Sequence, residues 1–207
     1  MEEHTHPGQP GNAVDSQEPP QEQKSEAMEW LKAIVIAVVI VLLIRWLLFA
    51  PFIVDGPSMH PNFYTGERII VNKILYDFRE PKRSEVIVFH VPSEGRDFIK
   101  RVIGVPGDTV KVEGDTITIN GEAIEEPYIQ SELDEKHNNN QLYNTERNFP
   151  NEQFPDGKVP EGYVFVLGDN RPNSTDSRAI GFVPFKDIIG RADLVFWPIG
   201  DIKVIGH

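Results

Sequence analysis

The sequence predicts a mostly antiparallel β domain preceded by one transmembrane α-helix. Three observations carry this: a twenty-residue apolar run from residue 30, short runs rich in Val, Ile, Phe and Thr beyond residue 51, and an Asn120-Gly121 turn inside an alternating segment. The 207 residues carry 20 Lys plus Arg against 32 Asp plus Glu, a net charge of -12, and no cysteine. That balance argues against nucleic acid as a partner, and the missing cysteine excludes a disulfide scaffold, a Cys-ligated metal and a cysteine nucleophile.

Residues 1–29 hold Glu2, Glu3, Asp15, Glu18, Glu22, Glu26 and Glu29 against the single base Lys24, together with four prolines. With so little apolar surface to bury, this stretch is expected to be a disordered acidic tail. Residues 30–50 are expected to form the transmembrane helix, because WLKAIVIAVVIVLLIRWLLF would rise about 30 Å, the thickness of a bilayer's hydrocarbon core. Lys32 and Arg45 stand near its two ends, and Trp30 and Trp46 suit the interfaces. A cleaved leader would begin basic and end in small residues, whereas this one begins acidic and ends in Leu47, Leu48 and Phe49. A soluble core helix would show one apolar stripe rather than apolar residues all round. Charge counting leaves the orientation open, since Lys24 and Lys32 on one side balance Arg45 and Arg68 on the other.

Residues 51–207 form the β domain. Strands are expected at 68–71, 85–91, 98–105, 109–113, 116–119, 123–124, 163–167 and 194–197, with a short helical turn at 184–190. Asn120-Gly121 closes a hairpin. Residues 131–160 turn polar, with three successive asparagines from Asn138, and are expected to be an insertion loop outside the core. No internal repeat is visible, so an antiparallel layer follows.

Chemistry on such a domain needs a serine, a threonine or a metal-bound water. The six histidines form no HExxH pair, and twelve positions counted from Asp169 end on Ile180 where a calcium loop needs an acid, so no metal is expected. Ser58 lies in IVDGPSMHP, where Gly56 allows close backbone approach and Pro57 and Pro61 stiffen the chain. The competing reading is an ordinary turn serine. His60 is a poor base for it, because alternate residues of an extended segment stand almost 7 Å apart, and His90 within EVIVFHV reads as a core histidine. Lys100 shares a strand face with Phe98 and Val102; burial there would favour the neutral amine, the form that can accept a serine proton. Arg101 shares the other face with Ile99 and Ile103, so alternation alone does not say which of the two is buried. In GDNRPNSTDSR, residues 168–178, Asp176 could pair with Arg178 and Ser174 could offer its hydroxyl to an amine, the competing reading being a polar Asx turn.

Together, GPSMHP, ERIIVNK, FIKRVIGVPGD and GDNRPNSTDSR resemble four ordered segments of the bacterial type I signal peptidases, membrane-anchored serine proteases that cut signal peptides from exported proteins. The resemblance implies Ser58 as nucleophile, Lys100 as general base, Ser174 positioning the lysine, and Asp176 and Arg178 holding the loop. It further implies an extracytoplasmic catalytic domain resting on the bilayer, an N-terminus in the cytoplasm of a bacterial cell, signal peptides of secreted preproteins as partners, and no cofactor. Two positions depart from the family pattern. Asn62 stands where the family often has Thr, and Gly56 stands where some members have a serine that binds the oxyanion; glycine leaves the Gly56 and Ser58 backbone N–H groups as the expected oxyanion hole. The alternatives are a catalytically silent membrane-anchored binding module and a relative dedicated to one substrate.

Overall fold

The computed structural model describes residues 26–145 and 147–206, with the side chains of residues 26, 44–47 and 49 outside that description. The acidic tail therefore lies outside the described residues as far as residue 25. Helix α1 covers Glu26–Leu48. Every described side chain from 27 to 43 is exposed, with Trp30, Ile34, Ile36, Val38 and Leu42 among them. Among the described residues no helix is long and apolar enough to cross a membrane.

The rest of the chain forms the second unit, from Leu43 to His207. Its elements are β1 (Phe49–Ile53), β2 (Arg68–Asn72), α2 (Leu75–Phe78), β3 (Val86–Val91), β4 (Arg96–Gly104), β5 (Val110–Glu113), β6 (Thr116–Ile119), β7 (Glu122–Ala123), α3 (Gln130–Asn138), β8 (Tyr163–Leu167), α4 (Ser177–Ile180), β9 (Val183–Pro184), β10 (Ile188–Trp197) and β11 (Lys203–Val204). The main sheet runs β1-β2-β10-β3-β4-β8-β9, with β11 on β10, and β5-β6-β7 make a second, smaller sheet. Every ladder between these strands is antiparallel. The β6–β7 turn is the expected hairpin, and Asn120 and Gly121 both take the positive φ of a type I′ turn, 56° and 86°.

β3 reads as unbroken apolar sequence because both of its faces are covered. Val86 and Val88 pack with Met59, Phe63, Ile69, Val71 and Val195. Ile87, Phe89 and Val91 pack on the other side with Val102, Val164 and Val166. His90 is the exception and corrects the expectation of a core histidine: it stands at the open, hairpin end of β3, exposed, with Nδ1 2.8 Å from Asp97.

Two further expectations are revised. The helical turn at 184–190 shrinks to a 3-10 turn at Phe185–Asp187, and β10 begins at Ile188 rather than 194. Gly190, the last residue of that expected turn, is there for close approach: a Cβ would meet the Asn72 carbonyl oxygen at 2.3 Å, so glycine lets β10 lie against β2. The polar stretch 131–160 is not outside the core. It carries most of α3 and buries Leu133, Tyr143, Asn144, Phe149 and Val159, and Phe149 exchanges backbone hydrogen bonds with Val112 at 3.0 and 2.7 Å. Its anchors are spaced too irregularly among polar residues to show a period.

Candidate active site

Ser58 sits in the connection between β1 and β2. Val54 N–H donates to Glu67 O and Gly66 N–H to Val54 O, closing the base of that connection. Gly56 has φ 87°, a conformation open to glycine at little cost. Met59 and Phe63 are fully buried in the core, so the turn that presents Ser58 is anchored one residue and five residues beyond it.

β1 and β4 are separated in the sheet by β2, β10 and β3, yet residues from both line one groove. The groove has a volume of about 300 Å³ and is walled by Val54, Ile69, Val88, Phe98 and Ile99, with Gly56, Ser58 and Lys100 within it. Lys100 is 3% exposed, and its Nζ lies 2.7 Å from Ser58 Oγ and 2.9 Å from the Ile99 carbonyl oxygen. Burial pulls the Lys100 ammonium down to about 8, against the opposing pull of Asp176 and Asp169. The ambiguity between Lys100 and Arg101 resolves because both faces of β4 are covered: Arg101 is also buried, its Nε and Nη2 donating to Asp169 at 2.9 and 2.7 Å and its Nη1 to Ser84 O.

The loop after β8 completes the surroundings. Gly168 must be glycine, since a Cβ would meet Ser174 Oγ at 2.2 Å and the Ser58 carbonyl oxygen at 2.5 Å. Asn170 donates its N–H to Ser58 O and its Nδ2 to Pro57 O, both at 3.1 Å. From the other end of the turn, Asn62 Nδ2 donates to Asp169 Oδ2 and to Tyr128 O, both at 2.8 Å. The residue that departs from the family thus forms a direct tie to the buried Asp169–Arg101 pair. Asp176 accepts from Gly168 N–H at 3.1 Å and from Arg178 Nε and Nη2 at 2.8 and 2.7 Å, and Arg178 Nη1 donates to Asn144 Oδ1 at 2.6 Å.

Ser58, Lys100, Gly56, Asp176 and Arg178 are therefore brought to one region. Ser174 reaches the same region through Gly168, but its Oγ has no hydrogen-bond partner among the described residues, so the expected contact with the Lys100 amine is not formed here. Sequence reasoning assigned no role to Gly168 and Asn170, although both lie in a motif that drew attention, and it marked Asn62, just beyond GPSMHP, only as a departure from the family pattern. Glu126, paired with Arg171, and Asn144 lie far from those motifs, and no local pattern marks them. His60 stacks on Tyr64 at 4.6 Å, and its Nε2 has no partner among the described residues. A larger cavity, about 440 Å³, is lined by Asn62, Phe63, Arg101, Tyr128 and Lys203 and includes neither Ser58 nor Lys100, which meet in the smaller groove.

An antiparallel β scaffold that sets a serine hydroxyl against a desolvated lysine amine is an arrangement that serine hydrolase chemistry can use. The family described as "Signal peptidase, peptidase S26" matches residues 27–197, and the chain belongs to that family. It is 38% identical over 182 residues to signal peptidase I P of Bacillus subtilis subsp. natto, covering 87% of this chain and 95% of the relative. It is 39% identical over 182 residues to a signal peptidase I of Bacillus amyloliquefaciens, covering 87% and 94%. The solved structure of a signal peptidase I from Enterococcus faecalis V583 aligns with 40% identity over 55% of this chain and 97% of that one, at a TM-score of 0.48. The chain is a serine endopeptidase of the signal peptidase I kind.

Proposed function

We propose that this chain removes signal peptides from secreted preproteins with Ser58 as nucleophile and Lys100 as general base. The observation that carries the reading is the 2.7 Å approach of Lys100 Nζ to Ser58 Oγ inside an apolar groove. Neutral Lys100 takes the Ser58 proton as Oγ bonds to the scissile carbonyl carbon, and the oxyanion is met by the Gly56 and Ser58 N–H groups. The C–N bond then breaks, and the Lys100 proton leaves with the amine. Water attacks the acyl-serine, gives its proton to Lys100, and the ester C–O bond breaks as Ser58 is reprotonated. A groove of about 300 Å³ walled by Val54, Ile69, Val88 and Ile99 suits small side chains at alternate positions of an extended peptide, as in a small-x-small site. Ser174, Asp176 and Arg178 support the loop behind the dyad.

The domain reading accompanies it, with bounds that follow the elements: a cytoplasmic acidic tail, a single-pass span from residue 30 to the end of α1 at Leu48, and an extracytoplasmic catalytic domain from β1 onward, on a bacterial cell membrane. Support comes from the 23-residue backbone helix α1, whose described apolar side chains are exposed on every side.

The test is cleavage of a purified preprotein in liposomes, with the cut read by mass spectrometry and the rate followed against pH. Because Lys100 must be neutral, the rate rises with pH through about 8. Cutting after a small-x-small sequence with that profile supports the reading; a rate that is flat or falls above neutrality removes Lys100 as base, and no covalent labelling of Ser58 by a serine-reactive probe favours the silent module.

Asn170→Ala removes the bond to Pro57 O and leaves the Asn170 N–H on Ser58 O. The expected result is a fall of roughly tenfold in kcat with KM little changed, since a displaced turn misaligns attack rather than binding. Equal loss in KM and none in kcat would assign Asn170 to substrate binding instead.

A further inference from the structure

The rim of the groove holds a charge that the dyad chemistry does not use. Residues 96, 98 and 100 share one face of β4 by its two-residue period, and the side chains of Arg96 and Lys100 both reach the Phe98 ring. The Arg96 guanidinium carbon and Lys100 Nζ each lie 5.0 Å from that ring's centroid. Their charges are therefore within about 10 Å of each other, one Debye length at 0.1 M salt. Arg96 lines the groove together with Phe98, Ile99 and Lys100. Its carboxylate neighbour, Glu94 at 3.3 Å, is itself exposed on the β3–β4 turn.

We propose that Arg96 is a positioning residue for the reaction: seated on Phe98 at the mouth of the groove, its fixed positive charge holds the Lys100 amine in the unprotonated form that takes the Ser58 proton. The inference rests on Lys100 being the base. The charges around Lys100 sort by element. From the loop after β8, Asp176 and Asp169 favour the ammonium, though each is already engaged by a buried arginine at 2.7 Å. On β4 itself Arg101 is committed to Asp169, and Asp97 is paired with His90 of β3. Asp55, exposed, stands on the rim contributed by the β1–β2 connection. Burial opposes the ammonium most, and Arg96 adds to it as the neighbouring charge of that sign. Its exposure keeps the effect modest in the free enzyme, because water screens it. A peptide laid in the groove would displace that water, so the influence of Arg96 grows once substrate is bound.

The test measures kcat and kcat/KM against pH for the full chain in liposomes, comparing the wild type with Arg96→Lys, Arg96→Gln, Arg96→Glu and Glu94→Gln. The acid limb is expected to move up by about half a pH unit for Arg96→Gln and about one unit for Arg96→Glu at low salt. It should stay for Arg96→Lys and move down for Glu94→Gln. The shift should be larger in kcat than in kcat/KM and shrink at high salt, while the rate on the alkaline plateau holds. Limbs that coincide for all variants, with changes only in the plateau or in KM, overturn the inference and leave Lys100 as base. A wild type with no acid limb overturns both.

Discussion

Replacing Lys100 with methionine is expected to abolish preprotein cleavage, by about a thousandfold or more, while the domain stays folded. Methionine matches the lysine stem in length and removes only the amine, whose contacts are Ser58 Oγ and the Ile99 carbonyl oxygen. Without a base the Ser58 proton has no acceptor at the distance the groove enforces. The same change removes a group that is awkward to bury. Folded Lys100 titrates at about 8 against an ordinary 10.5, so between those values the unfolded chain binds more protons than the native one. Wild-type stability therefore rises with pH across that window, and the penalty is fully present below about 8. The methionine variant lacks this slope. Single-turnover cleavage with urea unfolding at pH 7 and 10 checks both halves; residual activity within tenfold of wild type would hand the role of base to another group.

The second large effect is expected from Asp176→Ala, a loss of about 3–5 kcal/mol in unfolding free energy. Arg178 is 2% exposed, and without the carboxylate its guanidinium keeps only Asn144 Oδ1 and the Arg171 carbonyl oxygen. Gly168 N–H loses its acceptor at the point where the loop passes behind Ser58, so activity should fall with stability. Asp176→Asn separates the contributions, because an amide oxygen can still accept from Gly168 while the charge is gone. Urea titration of both variants provides the measurement, and a loss below about 1 kcal/mol for alanine would mean the loop is held elsewhere.

Strands with strong β-formers and clear turn residues were legible in sequence: β6, β8 and the Asn120-Gly121 hairpin could be read from local chemistry alone. β1 was not, because FAPFI continues an apolar run and contains Pro51, so it reads as the end of the helix before it. α3 was hidden for the opposite reason, since QSELDEKHN is polar nearly all round and buries only Leu133. The first half of β10 depends on a contact with Asn72 more than a hundred residues earlier, which no window of sequence contains. At the site, the motifs contained most of the residues, but their pairings are tertiary. That Arg101 is buried beside Lys100 follows from layers on both sides of β4, and that Asn62 ties the serine turn to Asp169 follows from a fold that joins positions 107 apart.

The order of strands also sets when the protease comes into being. Ser58 follows β1 and precedes β2, Lys100 lies on β4, and between β2 and β3 the sheet has β10, one of the last elements of the chain. The two halves of the dyad are thus flanks of a gap that only a late strand fills. Contacts of such wide sequence separation form late in folding, after their loop-closure cost is met. On the proposed assignment, an emerging chain would carry Ser58 and Lys100 before the sheet that brings them together is complete. Proteolytic competence is then expected only once β10 has inserted, leaving a partly made copy inert toward itself and its neighbours.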